Sequence, residues 1–284
     1  MMSCLENAYE AARQNPRRVV FPEWGADAIV AARDTLITEK LCEPVPVAEP
    51  SDAQLAALVE GRGLKPGIAS RMLSRPIMRA AAMVAAGEAD ALVAGVETPT
   101  KRVLEGAGLA LGLAEGVSTA SSFFLMRFPD GNELIFADCA VVVEPTVDDL
   151  VAIATASAAS AEKLLGEARV ALLSYSTGTS GAGPNVDRVR EAAERAGFPG
   201  PVQADAALNA AIADRKGVAS GDANVLIFPN LDAGNIAYKL CQELGGAQAI
   251  GPLLQGFRRP VCDLSRGARP DDIVASTALT LALG

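Results

Sequence analysis

Val170-Ala171-Leu172-Leu173, then Ser174-Tyr175-Ser176-Thr177-Gly178-Thr179-Ser180-Gly181-Ala182-Gly183, then Pro184: an apolar run, a stretch of hydroxyl and glycine residues, and a proline heading a helical pattern from about Asn185 to Ala196. A strand that delivers the chain into a small-residue loop and then a helix is the repeating unit of an α/β protein. Glycines at 178, 181 and 183 let the main chain take positive φ and approach a ligand closely. The hydroxyls of Ser176, Thr177, Thr179 and Ser180, with the helix N-terminus, supply donors suited to phosphate oxygens. The loop lacks the GK[ST] ending of a Walker loop, and taken alone it also fits an ordinary strand-to-helix turn with Pro184 at the first helical position.

The same alternation extends in both directions. Arg18 to Phe21, Ala91 to Val96, Phe123 to Phe128, Glu133 to Val143, Val225 to Pro229 and Ile250 to Leu254 read as strands. Ala26 to Glu39, Asp52 to Glu60, Arg71 to Ala86 and Asp148 to Leu165 carry aliphatic residues at helical spacing, and Thr146 with Asp149 has the form of a capping box. This pattern predicts mostly parallel sheets flanked by helices. Pro129-Asp130-Gly131-Asn132 between two apolar strands predicts a hairpin, a suitable place for one lobe to hand over to another.

Composition removes several chemistries. The 284 residues contain no histidine, so there is no imidazole base, no Ser-His-Asp triad and no histidine-ligated metal, and acid-base work falls to carboxylates. A formal charge of -9 argues against nucleic acid or an anionic membrane as partner. Five cysteines, odd in number, far apart and without a CxxC pair, suggest a reduced cytoplasmic chain without zinc. Met1 to Arg18 is polar and helical in pattern, unlike a signal peptide, and no apolar run is long enough to span a bilayer.

Near the C-terminus, Asp263-Leu264-Ser265-Arg266-Gly267 places a hydroxyl and a guanidinium side by side, and Asp271-Asp272 follows. Arg258, Arg259, Arg266 and Arg269 share a segment with a single acid in an otherwise acidic protein, which suggests an anionic ligand; the alternative, a solvated loop, fits Arg258 and Arg269. Asp271 reads as a helix cap, whereas Asp272 lies one turn beyond Ser265-Arg266 and is a candidate general base. Cys139, in Phe136-Ala137-Asp138-Cys139-Ala140, reads as a small buried hydrophobe. Asn230, Asp232, Gly234 and Asn235 form a further polar turn opening a helix.

These residues resemble the phosphotransacetylases, or phosphate acetyltransferases, and the related phosphate butyryltransferases. The likeness is carried by Val20-Phe21-Pro22-Glu23, Gly87 to Gly95, Phe136 to Ala140, Ser174 to Gly183, Phe228 to Leu231, Gly251 to Gly256 and Asp263 to Gly267, in the family's order. The resemblance implies a two-lobed, three-layer αβα subunit of the isocitrate and isopropylmalate dehydrogenase kind, with a cleft between lobes. The first lobe would take 1–122 and 255–284, and the second 123–254. It further implies a homodimer and the reaction acyl phosphate plus coenzyme A to acyl-CoA plus phosphate, most plainly with acetyl. Coenzyme A would be a substrate, with no tightly bound cofactor and no metal.

By the same resemblance Ser265, Arg266 and Asp272 are catalytic. Ser176, Thr177, Gly178, Thr179, Ser180, Arg102 and Cys139 belong to the phosphate and substrate side, and Arg62, Asn230 and Asn235 to coenzyme A. The chain departs from the family between Thr98 and Gly106, where Glu105 occupies the place of a phosphate-binding arginine, so that either Arg102 or Lys101 compensates or the activity is altered. Between Glu39 and Leu64 it lacks about one βα unit. Three readings compete with acetyl transfer: transfer of propanoyl or butanoyl groups, a non-catalytic binding paralogue, and hydride transfer, for which metal-binding aspartates and a nicotinamide site have no counterpart here.

Overall fold

The computed structural model describes residues 3–284; Met1 and Met2, at the head of the helical pattern expected from Met1 to Arg18, lie outside the described residues. In chain order the elements are α1 Cys4–Gln14, β1 Arg18–Val20, α2 Asp27–Thr38, β2 Glu43–Val45, α3 Asp52–Val59, α4 Pro66–Leu73, α5 Pro76–Ala85, β3 Ala91–Ala94 and α6 Thr100–Ala110. Then come β4 Ser121–Arg127, β5 Glu133–Ala137, α7 Val147–Leu165, β6 Val170–Leu172, α8 Pro184–Ala196, α9 Ala204–Leu208, α10 Ala210–Lys216, β7 Val225–Ile227 and α11 Leu231–Gly245. The chain closes with β8 Gln248–Gln255, β9 Val261–Asp263 and α12 Pro270–Leu283.

Two compact units divide these elements, Met1–Gly116 with Gly251–Gly284, and Val117–Ile250. In the first, the strand order is β2-β1-β3-β9-β8. All neighbours are parallel except β8 and β9, where Leu253 faces Cys262 in an antiparallel register. Helix α12 packs with α1 and α2, while α5 packs with α3, α4 and α6, and both α12 and α5 reach β3. Helix α12 is apolar on nearly every side because Ile273, Ala275, Ala278, Leu279 and Leu281 are all buried.

The second unit has the order β4-β5-β7-β6. β4 and β5 form the expected antiparallel hairpin, and the other neighbours are parallel. Alternation along the strands sends Phe124, Met126, Phe136, Leu173 and Phe228 into one core with Tyr238 of α11. The rings of Phe124 and Tyr238 stack at 4.2 Å between centroids. Helix α7 packs against β4, β5, β6 and β7, and α8 packs on α7. The capping box at its start forms as the sequence suggests, with Asp149 N–H donating to Thr146 Oγ1 at 3.2 Å and Thr146 N–H to Asp149 Oδ2 at 2.9 Å.

Several elements differ from expectation. The helix read over Arg71 to Ala86 is two, because Pro76 fixes φ, lacks an N–H and disfavours helical geometry at Arg75. The strand read over Glu133 to Val143 stops at Ala137, since the Asp138 side chain gathers the next backbone amides into a turn. β2 and β9, each three residues long, were not anticipated. The antiparallel β8–β9 pair accords with an expectation of mostly, not wholly, parallel pairing.

Candidate active site

In the first unit the exit of β9 carries the candidate chemistry. Leu264 N–H donates to Ala94 O at 2.6 Å, and Ser265 O accepts from Ala268 N at 2.9 Å, which closes a turn between β9 and α12. Ser265 and Arg266 are both exposed on it. Neither the Ser265 hydroxyl nor the Arg266 guanidinium has a hydrogen-bond or ion-pair partner among the described residues. Its neighbours are committed: Arg258 donates to Leu113 O at 3.0 Å, and Arg269 pairs with Asp272 at 3.1 Å. Both side chains stay exposed while making these contacts, in keeping with the solvated-loop alternative.

The cap of α12 falls to Asp272 and not to Asp271. Asp272 stands at N3, where it accepts from Arg269 N at 3.2 Å and from Arg269 Nε at 3.1 Å, because its carboxylate suits the positive end of the helix dipole. A candidate base thus has its oxygens engaged by a guanidinium. Arg102 of α6 donates to Glu105 at 2.7 Å, and Arg75 approaches the same carboxylate at 3.5 Å. These two arginines hold the half-buried Glu105 carboxyl below its usual range. Arg62, expected to bind coenzyme A, donates to Leu109 O and Gly108 O at 3.2 Å and so caps the last carbonyls of α6.

Two buried carboxylates underlie this region. Glu23 accepts four successive backbone amides, Gly95 at 3.0 Å, Val96 at 3.1 Å, Glu97 at 2.9 Å and Thr98 at 2.5 Å, and so holds the loop that leads from β3 into α6. Asp263, 0% exposed, has no hydrogen-bond partner on either oxygen. Burial first, and then the nearby charge of Glu23, push its carboxyl up to about 6, while Thr100 acts in the opposite direction. A Cβ at Gly95 would lie 2.8 Å from Asp263 Oδ1 and 2.6 Å from Leu264 N, so only glycine lets these segments approach.

In the second unit the Ser174–Gly183 loop turns inward more than its composition suggests. Ser176 N–H donates to Ser174 Oγ at 3.2 Å, Thr177 N–H to Ser180 Oγ at 2.9 Å, Gly178 N–H to Pro201 O at 2.9 Å and Gly181 N–H to Ser176 Oγ at 2.8 Å. Thr177 Oγ1 donates to Gln203 Oε1 at 3.2 Å and accepts from Gln203 N at 3.0 Å. Ser176 and Thr177 are buried, and buried hydroxyls find protein partners. Thr179 and Ser180 remain exposed. The amide cradle read from the glycines is thus largely satisfied by its own loop.

Asn230 caps α11 by accepting from Ala233 N at 3.0 Å, and Asn235 donates to Cys139 O at 3.1 Å. Cys139 is buried, and burial followed by the charge of Asp138 pushes its thiol well above the ordinary range. Asp138 itself accepts from Ser122 Oγ, Ala140 N at 3.0 Å, Val141 N at 3.3 Å and Val142 N at 2.7 Å. Gly234 makes room for it: a Cβ there would stand 2.5 Å from Asp138 O. Among the described residues no group of three or more Cys, Asp or Glu side chains could hold a metal ion, and no helix is long and apolar enough to cross a membrane.

Compared with known proteins, residues 52–281 match the profile of the phosphate acetyl/butaryl transferase family. The chain belongs to this family. A phosphate acetyltransferase of Paracoccus denitrificans is 37% identical, with 98% of each chain covered. One from Pseudomonas aeruginosa is 39% identical over 89% of this chain, which spans 38% of that relative's length. The crystal structure of a phosphotransacetylase from Streptococcus pyogenes superposes with a TM-score of 0.90 at 32% identity, covering 99% of this chain and 98% of that one. Family membership accounts for the order of the stretches read from the sequence. Glu23 and Asp263 were quoted there only as parts of such stretches, and their burial was not legible. The one local signal was a charged residue ending an apolar triplet, Val261-Cys262-Asp263.

Proposed function

We propose that the chain converts acyl phosphate and coenzyme A into acyl-CoA and phosphate, with acetyl as the acyl group. The thiol loses its proton, the sulfur lone pair forms a bond to the acyl carbonyl carbon, and the carbon–oxygen bond to phosphate breaks, its electrons leaving with orthophosphate. A free thiol ionises near pH 8.5, so a protein acceptor must take that proton at neutral pH. Asp272 is the candidate acceptor from the sequence, with Ser265 beside the sulfur.

The observation that carries the reading is Arg266, an exposed guanidinium without a partner among the described residues beside an equally unpartnered Ser265, on a turn within one of the family-like stretches. A fixed guanidinium suits charge that grows on the carbonyl oxygen and the departing phosphate. In the second unit, Thr179 is an exposed loop hydroxyl placed to meet phosphate, with Ser180 exposed beside it while accepting from Thr177 N, and Asn230, Asn235 and Arg62 are assigned to coenzyme A. The test is thioester formation from acetyl phosphate and coenzyme A. We expect Arg266→Ala to slow turnover by about 10² to 10³, and an unchanged rate would remove Arg266 from the chemistry. Propanoyl and butanoyl phosphates in the same assay rank the acyl groups, and ligand binding without any turnover would favour the non-catalytic paralogue.

A cytoplasmic homodimer completes the proposal. Ile236, Leu240 and Leu244 recur every fourth residue along α11 at 57%, 51% and 82% exposure, an apolar stripe suited to a second copy of the chain. Sedimentation of Leu240→Asp as a monomer beside a dimeric parent is the expected result, and a monomeric parent would end this part.

A further inference from the structure

β1, β3 and β9 are adjacent and parallel, so their carboxyl ends emerge side by side, where open α/β sheets hold their ligands. β1 leads into Phe21-Pro22-Glu23, β3 into the Gly95–Thr98 loop and α6, and β9 into Leu264, Ser265 and Arg266. Successive amides aimed at one point form a concavity of the kind that takes an external anion. Here the protein's own Glu23 fills it: Oε2 accepts from Gly95 and Val96, and Oε1 from Glu97 and Thr98, at 2.5 to 3.1 Å. Glu23 is 8% exposed, and without its carboxylate these donors lose their common acceptor.

The same loop reaches the candidate catalytic turn. Gly95 lies against Leu264, whose amide donates to Ala94 O at 2.6 Å and whose next neighbours in the chain are Ser265 and Arg266. At its other end Thr98 runs through Pro99 into the first turn of α6, which carries Thr100, Lys101 and Arg102. We infer that Glu23 is a positioning residue for the acyl transfer, an inference that rests on the acyl-transfer reading above. Its carboxylate fixes Gly95, and through Gly95 the backbone of Leu264, so that Ser265 and Arg266 keep one orientation toward the substrate. It also closes the amide concavity to the substrate's phosphoryl group, which leaves that group to Arg266. Glu23 touches no reacting atom, yet a displacement of about 1 Å in the groups it holds costs about 10²-fold in rate.

The experiment compares the parent with Glu23→Ala and Glu23→Gln in thioester formation from acetyl phosphate and coenzyme A, with and without sodium formate. Assays run well below the melting temperature of each variant, so that a lower kcat is not a loss of folded protein. Trp24, the only tryptophan in the chain, adjoins Glu23 and lies under the Arg33 guanidinium at 3.6 Å, so its emission reports whether this segment keeps its place. We expect Glu23→Ala to lower kcat by about 10²-fold while the KM for coenzyme A holds. Formate, a carboxylate small enough for the vacated space, should raise that rate about tenfold and return the emission toward that of the parent, and should leave the parent itself unchanged. Glu23→Gln keeps the volume but turns an NH2 toward two backbone donors, so it should be slow and insensitive to formate. A parent without turnover overturns the acyl-transfer reading. A parent that turns over while either variant keeps its kcat, or while formate fails to raise the rate of Glu23→Ala, overturns this inference alone. Should Glu23→Ala not fold, Glu23→Gln decides: a kcat equal to the parent's overturns the inference, and a loss of about tenfold or more supports it.

Discussion

Asp138 and Asp263 are the same residue type, each buried beside a buried cysteine and each faced by a glycine that leaves no room for a side chain. Asp138, in the second unit, gathers one hydroxyl and three backbone amides, and the strand before it ends because of that gathering. Asp263, in the first unit, gathers nothing. Burial alone therefore does not fix what a carboxylate does. The supply of donors decides whether it staples a turn or stands as a vacant acceptor.

The largest effect that can break this contrast is Asp138→Ala. It strands the Ser122 hydroxyl and three amides, and should cost about 3 to 5 kcal/mol in urea unfolding; a cost under about 1 kcal/mol would mean that water replaces the carboxylate freely. Next come the guarding glycines. Gly95→Ala meets both a φ of 121° and nearby backbone, and should cost about 3 kcal/mol. Gly234→Ala meets Asp138 O and Cys139 Sγ without φ strain, and should cost about 2 kcal/mol. Equal costs for the two would dissolve the distinction between a strained and a merely crowded site.

Asp263→Asn should go the other way, gaining roughly 2 kcal/mol at pH 7.5. The sign follows from the raised carboxyl: between its ordinary 3.8 and about 6 the folded chain holds a proton that the unfolded chain has released. Stability therefore falls as pH rises through that window, and the gain from the amide should disappear below about pH 4. A gain independent of pH would show that the carboxylate is not an unpaired charge. The smallest effect is expected at Glu105→Gln, where an exposed cluster is loosened. The melting temperature should hold, and the KM for acetyl phosphate should drop a few-fold as Arg75 and Arg102 are released; an unchanged KM would take both arginines away from the substrate.

Much of the fold could be read from local pattern. β1, β3, β4, β6 and β7 stand out as apolar runs, and the Pro129–Asn132 turn announces its hairpin. β2 could not be read this way, because Glu43-Pro44-Val45 has an exposed glutamate, a proline and no alternation. β9 was hidden because its last residue is charged, and a charge usually ends an apolar run. At the candidate site, Ser265 and Arg266 announce themselves by residue type. The roles of Glu23 and Asp263 depend on distant parts of the chain, on the Gly95 to Thr98 amides that Glu23 accepts and on the fold that buries Asp263 without a hydrogen-bond partner, which no local window contains. The Ser174–Gly183 loop misled for the opposite reason, since its composition is local but the acceptors that consume its donors include Pro201 O, for the Gly178 amide, and Gln203 Oε1, for the Thr177 hydroxyl.

The cysteines have a practical consequence. Cys42 and Cys262 are buried, with thiols pushed up to about 12, and burial raises Cys241 as well. Protein sulfur of this kind is a poor nucleophile toward disulfide dyes and maleimides. Coenzyme released when phosphate cleaves acetyl-CoA can therefore be trapped continuously by a chromogenic disulfide in the same cuvette as the protein, so that its release is followed without labelling the catalyst.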